Sequence, residues 1–258
     1  MSKNSLIAIV FAAGRGSRLA PFTDTTPKPL ATVNGKTLLE WDIEKIEPSV
    51  SKIIIVISYL GQQIIDTFGS LYKQTPIEYV WQKNNKGGTL DALRSAIFYS
   101  NKDTQKADYI VLNGDEIHGP EIYTDMLSQI SKDRETALVS AKIFEDKEKL
   151  KNFGVYEVDS DQYMIKVWEK PEQYISNLVN NGIYFLPNKV IEFIDDKLNE
   201  STEHEHYITR DLFNPYLLRY KIKVVSSSGM WLPISNLADL ESARKILGHH
   251  FHPQNGTE

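Results

Sequence analysis

The chain has no cysteine among its 258 residues. That excludes disulfides, thiolate zinc sites and cysteine nucleophiles, and it agrees with a reducing cytoplasm as the expected location. It also lacks any apolar run of the roughly 20 residues that a membrane helix needs. The longest such run near the start, Leu6 to Ala13, is far shorter and carries no signal-peptide cleavage pattern, so neither export nor membrane insertion is expected. No long basic run is present. With 29 Lys and Arg against 34 Asp and Glu the formal charge is -5, so no surface built to neutralise nucleic-acid phosphates is expected. Absent too are a G-x-S-x-G nucleophile elbow and an H-E-x-x-H helix, which removes the familiar serine-hydrolase and zinc-protease readings.

What is present points to an ordinary folded domain. Hydrophobic residues make up 41% and charged residues 24%, which argues against disorder. A chain of this size buries about 70% of its unfolded surface and needs no staples. Short β-branched runs at Leu6 to Phe11, Lys52 to Ser58, Ile77 to Val80 and Tyr109 to Leu112 read as strands. Helical periodicity fills the intervals at Thr37 to Ile46, Leu60 to Phe68 and Thr89 to Ser100. This alternation predicts βαβ units with a parallel sheet and a ligand crevice at the carboxyl ends of its strands. Further along, the pattern predicts a helix over Glu121 to Lys132 and a strand over Thr136 to Lys142. A solvated stretch at Glu145 to Lys151 and a hairpin of Gly154 to Val158 with Met164 to Trp168 follow. After a strand at Leu178 to Phe185 come helices at Asn188 to Leu198 and Thr209 to Tyr220, a strand at Lys223 to Ser226 and a helix at Leu237 to Leu247. The expectation is an α/β fold: one Rossmann-like domain over residues 1–248, with a mixed, mostly parallel sheet, flanking helices and a polar tail at 249–258.

The first strand runs directly into AAGRGSRLAPFTDTTPKPL, Ala12 to Leu30. Small residues and two glycines, Gly14 and Gly16, let a backbone approach a phosphate closely, and successive N–H groups in such a turn form an anion-binding concavity. Arg18 and Lys28 add the positive charge that clamps a transferring phosphoryl group. The dinucleotide fingerprint G-x-G-x-x-G fails at Leu19, and G-x-x-x-x-G-K-[ST] is absent, so neither common nucleotide motif applies. Further on, Gln82 precedes Gly88 and Thr89, which open a helix whose free N–H groups point forward, and an amide side chain there suits a base edge. Gln82 as a surface residue beside Trp81 is the plain alternative. Asp115, after the strand Tyr109 to Leu112, stands where a carboxylate can hold Mg²⁺; a capping aspartate is the plain alternative. His204 and His206 in EHEHY read as a solvated turn rather than a metal clip.

GRGSRLAPFT followed by Lys28-Pro29 resembles the signature G-x-G-[ST]-R-[LM]-x-P-x-T…K-P of the sugar-phosphate nucleotidylyltransferases, and the likeness extends over residues about 6 to 245. The resemblance implies the nucleotide-diphospho-sugar transferase fold and a reaction in which a sugar 1-phosphate and a nucleoside triphosphate give a nucleotide sugar and pyrophosphate, with Mg²⁺ as cofactor. It implies that Ala12, Ala13, Gly14 and Gly16 hold the nucleotide, that Gln82, Gly88 and Thr89 read its base, and that Arg18, Lys28 and Asp115 serve catalysis. Arg18 would grip the β and γ phosphates and Lys28 the α phosphate, with Asp115 as metal ligand. Gly154, Glu169, Lys170 and Asn180 would take the sugar phosphate, although each taken singly reads as a solvated charge or a turn.

One segment departs from the family. Where many members carry W-x-D-[IV]-G-[TN], with a second metal-binding aspartate, this chain reads WLPISNLADL, with Pro233 in that place and Ser235 and Asn236 after it. Hydration water or Asn236 is the expected substitute, with Asp239 set too far along the next helix. The departure keeps two alternatives open: a catalytically degenerate nucleotide-sugar-binding paralogue, and a same-fold cytidylyltransferase acting on a non-sugar phosphate. Gln82 with Gly88-Thr89 leans toward uridine or thymidine, while the Pro233 region leans toward cytidine. No hexapeptide repeat occurs, so an attached left-handed β-helix acyltransferase domain is not expected; a homo-oligomer is compatible with the sequence.

Overall fold

The computed structural model describes residues 6–82, 87–100, 107–197 and 205–248. Leu198, His204 and the expected tail at 249–258 lie outside the described residues. The strands of the first half are β1 (Leu6–Ala12), β2 (Thr32–Val33), β3 (Lys36–Thr37), β4 (Lys52–Ile57), β5 (Leu71–Tyr72), β6 (Thr75–Trp81) and β7 (Asp108–Asn113). They are followed by β8 (Glu116–His118), β9 (Ala137–Ile143), β10 (Gly154–Val158), β11 (Met164–Glu169), β12 (Leu178–Leu186), β13 (Ile222–Ser227) and β14 (Trp231–Pro233). The helices are α1 (Leu38–Ile46), α2 (Gly61–Phe68), α3 (Thr89–Tyr99), α4 (Pro120–Lys132), α5 (Lys147–Leu150), α6 (Asn188–Lys197), α7 (Asn214–Tyr216) and α8 (Leu237–Gly248). No helix among the described residues is long and apolar enough to cross a membrane.

A ten-stranded sheet runs in the order β11-β10-β12-β7-β1-β4-β6-β5, with β9 joined to β12 and β13 to β9. β1 lies between β4 and β7 and is parallel to both, and β4 is parallel to β6. β12 enters antiparallel against β7 and β9. The mixed, mostly parallel sheet is thus as expected. Every residue of β1 is buried, and its alternation sorts them onto two faces. Ile7, Ile9 and Phe11 pack with Leu93 and Ile97 of α3, Ile194 of α6, and Leu212 and Phe213. Leu6, Ala8, Val10 and Ala12 pack with Ile43 of α1 and Met126 and Ile130 of α4. Covering both faces is what permits an unbroken apolar strand, and each fully buried Ile or Leu contributes about 1.5–3 kcal/mol. The start of α1 is fixed by its cap: the Glu40 N–H donates to Thr37 Oγ1 at 3.1 Å.

One expected element differs. In place of a continuous helix over Thr209 to Tyr220, the chain forms a π-helix at Ile208–Phe213 and a short α7. Pro215 has no N–H to give the carbonyl four residues back, so the α-helical ladder cannot run through it, and the widened turn precedes it. Two short strands, β8 and β14, form a separate antiparallel ladder pairing Trp231 with His118, Leu232 with Ile117 and Pro233 with Glu116. A third apolar cluster, with Leu19, Val33, Leu38, Ile117, Ile234 and Leu240, fastens the glycine-rich turn, this ladder and α8 into one body.

Candidate active site

The turn after β1 is shaped by short 3₁₀ segments at Ser17–Leu19, Phe22–Asp24 and Lys28–Leu30. Gly16 has φ +64°, and a Cβ on it would sit 2.9 Å from Lys28 Cβ. Only glycine lets the turn fold against the lysine stem there. Thr23 Oγ1 closes the same turn by donating to the Gly16 carbonyl at 3.0 Å. Leu19, 1% exposed, anchors it from below and leaves Arg18 at the surface of the cleft.

Lys28 is 8% exposed, and its Nζ lies 2.6 Å from Asp115 Oδ2. The turn after β1 and the end of β7 therefore meet in a charged contact that the sequence places 87 residues apart. Both groups line a cavity of about 330 Å³ with Ala12, Gly14, Gly16, Arg18, Thr89 and Glu116. Arg18 has no ion-pair partner among the described residues. It also borders a neighbouring cavity of about 560 Å³, which holds Lys170, Lys149, Phe153 and Pro233. Two cavities that share Arg18 and Ser235 make one cleft with a cationic waist.

The residues expected at the sugar phosphate divide between two places. Gly154 pairs with Glu169 across β10 and β11, and a Cβ on Gly154 would lie 3.2 Å from Glu169 Oε1 and 3.5 Å from Asn180 Cβ. Those three converge. Lys170 turns away into the larger cavity, in a left-handed conformation with φ +46° and its N–H on the Phe153 carbonyl at 3.1 Å. Asn180 is already engaged: its Nδ2 donates to Tyr184 OH at 3.0 Å, and its Oδ1 accepts the Gly182 N–H at 3.0 Å.

Gln82 is only 7% exposed, so it is not the surface residue of the plain alternative. It is absent from the lining of the cavity that holds Thr89. Gly88 and Thr89 are tied to a distant strap. Leu90 N–H donates to the His206 carbonyl at 2.9 Å, and Ile208 N–H donates to Thr89 Oγ1 at 3.1 Å. His206 itself faces Asp91, Nδ1 to Oδ1 at 3.4 Å, which places it in an internal contact rather than a solvated turn.

The segment after Pro233 folds into a cap for α8. Asn236 Oδ1 accepts the Asp239 N–H at 3.0 Å, while Asp239 Oδ2 accepts the N–H groups of Ser235 and Asn236 at 2.7 and 3.1 Å. This reciprocal cap at the start of α8 engages Asn236 Oδ1 and Asp239 Oδ2. Both residues border the larger cavity, whereas Asp115 lines the smaller one.

Sequence reasoning passed over Glu116, which lines the smaller cavity, and His118, which is buried behind it. Glu116 accepts from Trp231 Nε1 at 2.6 Å and lies 3.7 Å from His118 Nε2. Burial, and next the charge of Asp115, push its carboxyl up to about 7 against the opposing pull of His118, Trp231 and Lys28. His118 is fully buried. Its Nδ1 faces Asp42 Oδ1 at 3.1 Å and its Nε2 the Asn181 carbonyl at 2.7 Å. Burial works against its charge, yet the Asp42 carboxylate and the other acceptors outweigh this and hold its pKa above the usual histidine value. An imidazole with oxygen acceptors at both nitrogens is satisfied only when both carry protons. The signal available in the sequence was the run Asn113 to His118 after a buried strand, in which the aspartate drew all the attention.

Asp115 offers a hard oxygen to a cavity beside an anion-binding turn. Among the described residues no group of three or more His, Cys, Asp or Glu could hold a metal. That sparse donor set fits Mg²⁺, which takes one or two protein carboxylates and fills its remaining positions with phosphate oxygens and water.

The nucleotidyl transferase family model matches residues 7–248. The chain is 36% identical over 239 residues to the bifunctional protein GlmU of Methanococcus maripaludis, covering 92% of this chain and 53% of that protein. It is 30% identical over 178 residues to the UTP–glucose-1-phosphate uridylyltransferase AglF of Haloferax volcanii, covering 69% of this chain and 70% of that protein. The chain spans about half the length of the GlmU relatives it matches. Among solved structures, one assigned as a glucose-1-phosphate thymidylyltransferase from Bacillus anthracis, in complex with sucrose, superposes with a TM-score of 0.82 at 25% identity, over 97% of this chain and 98% of that one. A UDP-glucose pyrophosphorylase complexed with UDP-glucose superposes with a TM-score of 0.82 at 20% identity, over 96% of this chain and 100% of that one, which supports the fold.

Proposed function

Because the chain belongs to the nucleotidyl transferase family, we propose that it joins a sugar 1-phosphate to a nucleoside triphosphate, releasing pyrophosphate. In this reading a phosphate oxygen of the sugar 1-phosphate attacks the α phosphorus in line. The new O–P bond forms as the bond to the β-phosphate oxygen breaks, and pyrophosphate leaves with that electron pair. No covalent enzyme intermediate is needed, so the protein supplies positioning and electrostatic stabilisation.

The roles follow the cleft. Backbone N–H groups of the turn Ala12 to Gly16 hold the triphosphate, and Arg18, at the shared waist of the two cavities, takes its β and γ phosphates. Lys28 is held rigid by burial and by Asp115, so its ammonium is presented to the α phosphate without first being ordered. Asp115 would hold Mg²⁺, which neutralises phosphate charge when bound. Gly154, Glu169 and Asn180 form the sugar subsite, and Lys170 in the larger cavity steadies the sugar phosphate. Gln82, Gly88 and Thr89 face the base side.

The observation that carries this reading is the 2.6 Å contact between Lys28 and Asp115 inside the cavity formed by the glycine turn. It supports the reading because it sets a buried ammonium and a carboxylate together at the carboxyl ends of two adjacent parallel strands. The test is a panel of UTP, dTTP, CTP, ATP and GTP against several sugar 1-phosphates with Mg²⁺, read by pyrophosphate release. Release with at least one pair, lost on omission of either substrate, is the expected result. Silence across the panel from folded protein, with no nucleotide binding by calorimetry, would sink the reading.

A further inference from the structure

Resting on that reading, we propose that Glu116 is the second carboxylate of the divalent-cation site, supplied from β8 directly opposite Pro233 on β14. The ladder register pairs these two residues. Glu116 lines the same cavity as Asp115 and Lys28, whereas Pro233, Asn236 and Asp239 border the larger one. The α8 cap engages Asn236 Oδ1 and Asp239 Oδ2.

The side chain is held as a ligand would need to be. Trp231 Nε1 at 2.6 Å and His118 Nε2 at 3.7 Å both engage Oε2. Oε1 keeps only a long contact with Asn113 Nδ2 at 3.4 Å. One oxygen is fixed and the other is nearly free. A purely structural role would need an acceptor for the Trp231 indole, which a glutamine supplies without the cost of a buried charge. A carboxylate, unlike a glutamine, also offers a hard anionic oxygen to a cation in the cavity that it lines.

The apolar residue across the ladder follows from the same logic. Like charges directly opposite on neighbouring strands repel, so an acid at 116 disfavours an acid at 233. Pro233 gives Glu116 no competing side-chain donor, and its missing N–H is tolerated in a two-stranded edge ladder.

The test titrates Mn²⁺ into the whole protein, alone and with UTP, dTTP or CTP, and reads free Mn²⁺ by electron paramagnetic resonance. Glu116→Gln, which retains the acceptor for Trp231, should weaken Mn²⁺ binding about tenfold or more. Glu116→Asp, should the glutamine variant not fold, is expected to bind Mn²⁺ more weakly than wild type with an unchanged melting temperature. Wild-type affinity in folded Glu116→Gln or in Glu116→Asp would overturn the assignment and leave the proposed function standing. Failure of the wild-type protein to bind Mn²⁺ with any nucleotide would overturn both.

Discussion

Removing His118 tests the strongest energetic claim made by this structure. His118 and Asp42 are both 0% exposed and face each other at 3.1 Å, joining α1 to β8, while the second ring nitrogen reaches the Asn181 carbonyl on β12. His118→Asn takes the cation away and leaves the Asp42 carboxylate in the core without a countercharge. Breaking a buried pair from one side in this way costs about 3–5 kcal/mol, a large share of the 5–15 kcal/mol that a domain has. Asp42→Asn costs less, about 1–3 kcal/mol, because the imidazole can shed its extra proton and keep a hydrogen bond to the new amide. The double variant removes both charges together, so its loss should fall short of the two single losses combined by more than about 1 kcal/mol.

Urea denaturation of the four proteins between pH 6 and 9 measures this directly. The sign with pH is fixed. The folded pKa of His118 is raised, so its stabilisation is complete below the unfolded value and is lost as pH rises through the folded one. The penalty of His118→Asn should therefore shrink toward the alkaline end. A loss under about 1 kcal/mol at pH 6, or single losses that simply add, would refute the buried imidazolium. The functional stake is local, because β8 carries Glu116 and follows Asp115 directly.

Other perturbations probe the cleft. Lys28→Ala removes the buried partner of Asp115 and should lower the turnover of pyrophosphate release by about 100-fold or more, as loss of an electrostatic stabiliser does; unchanged turnover would count against its role at the α phosphate. Lys170→Ala should raise KM for the sugar phosphate well above any change for the nucleotide, and equal shifts for both substrates would place the lysine elsewhere. Gly88→Ala would set a Cβ 2.3 Å from the His206 carbonyl. It should cost about 1–3 kcal/mol in a thermal melt and weaken nucleotide binding, and an unchanged Tm would show that the strap yields freely.

The sequence made the long elements legible and the short ones opaque, for physical reasons. β1 announces itself because seven consecutive apolar residues can be buried only in a strand covered on both faces. β8 and β14 have three residues each, too few to show a period, and Pro233 reads against a strand. Yet that ladder positions Glu116 and Trp231. Val33-Asn34-Gly35-Lys36 did carry a local signal, since Asn34 and Gly35 adopt φ +49° and +77° in the turn between β2 and β3. The π-helix at Ile208–Phe213 was hidden by apolar spacing that suits an α-helix equally well, with Pro215 as its one clue. At the site, Asp115 and Lys28 were legible as residue types, but their pairing belongs to the fold.

Gly88 and Thr89 show how a motif can be legible while its cause is not. Read alone, a glycine and a threonine opening a helix suggest backbone N–H groups offered to a ligand. In the fold, the Gly88 position has no room for a side chain because the His206 carbonyl fills it, and that carbonyl takes the Leu90 N–H. Thr89 Oγ1 accepts the Ile208 N–H, so its lone pairs serve the strap while its own proton remains available to the cavity it lines. Gly88 N–H goes to Asp91 Oδ2, which also accepts the His206 N–H. The opening of α3 is thus built from two segments more than a hundred residues apart, and packing alone demands glycine there. The N–H groups of Gly88 and Leu90 are therefore spent inside the fold, and the glycine is explained without a ligand.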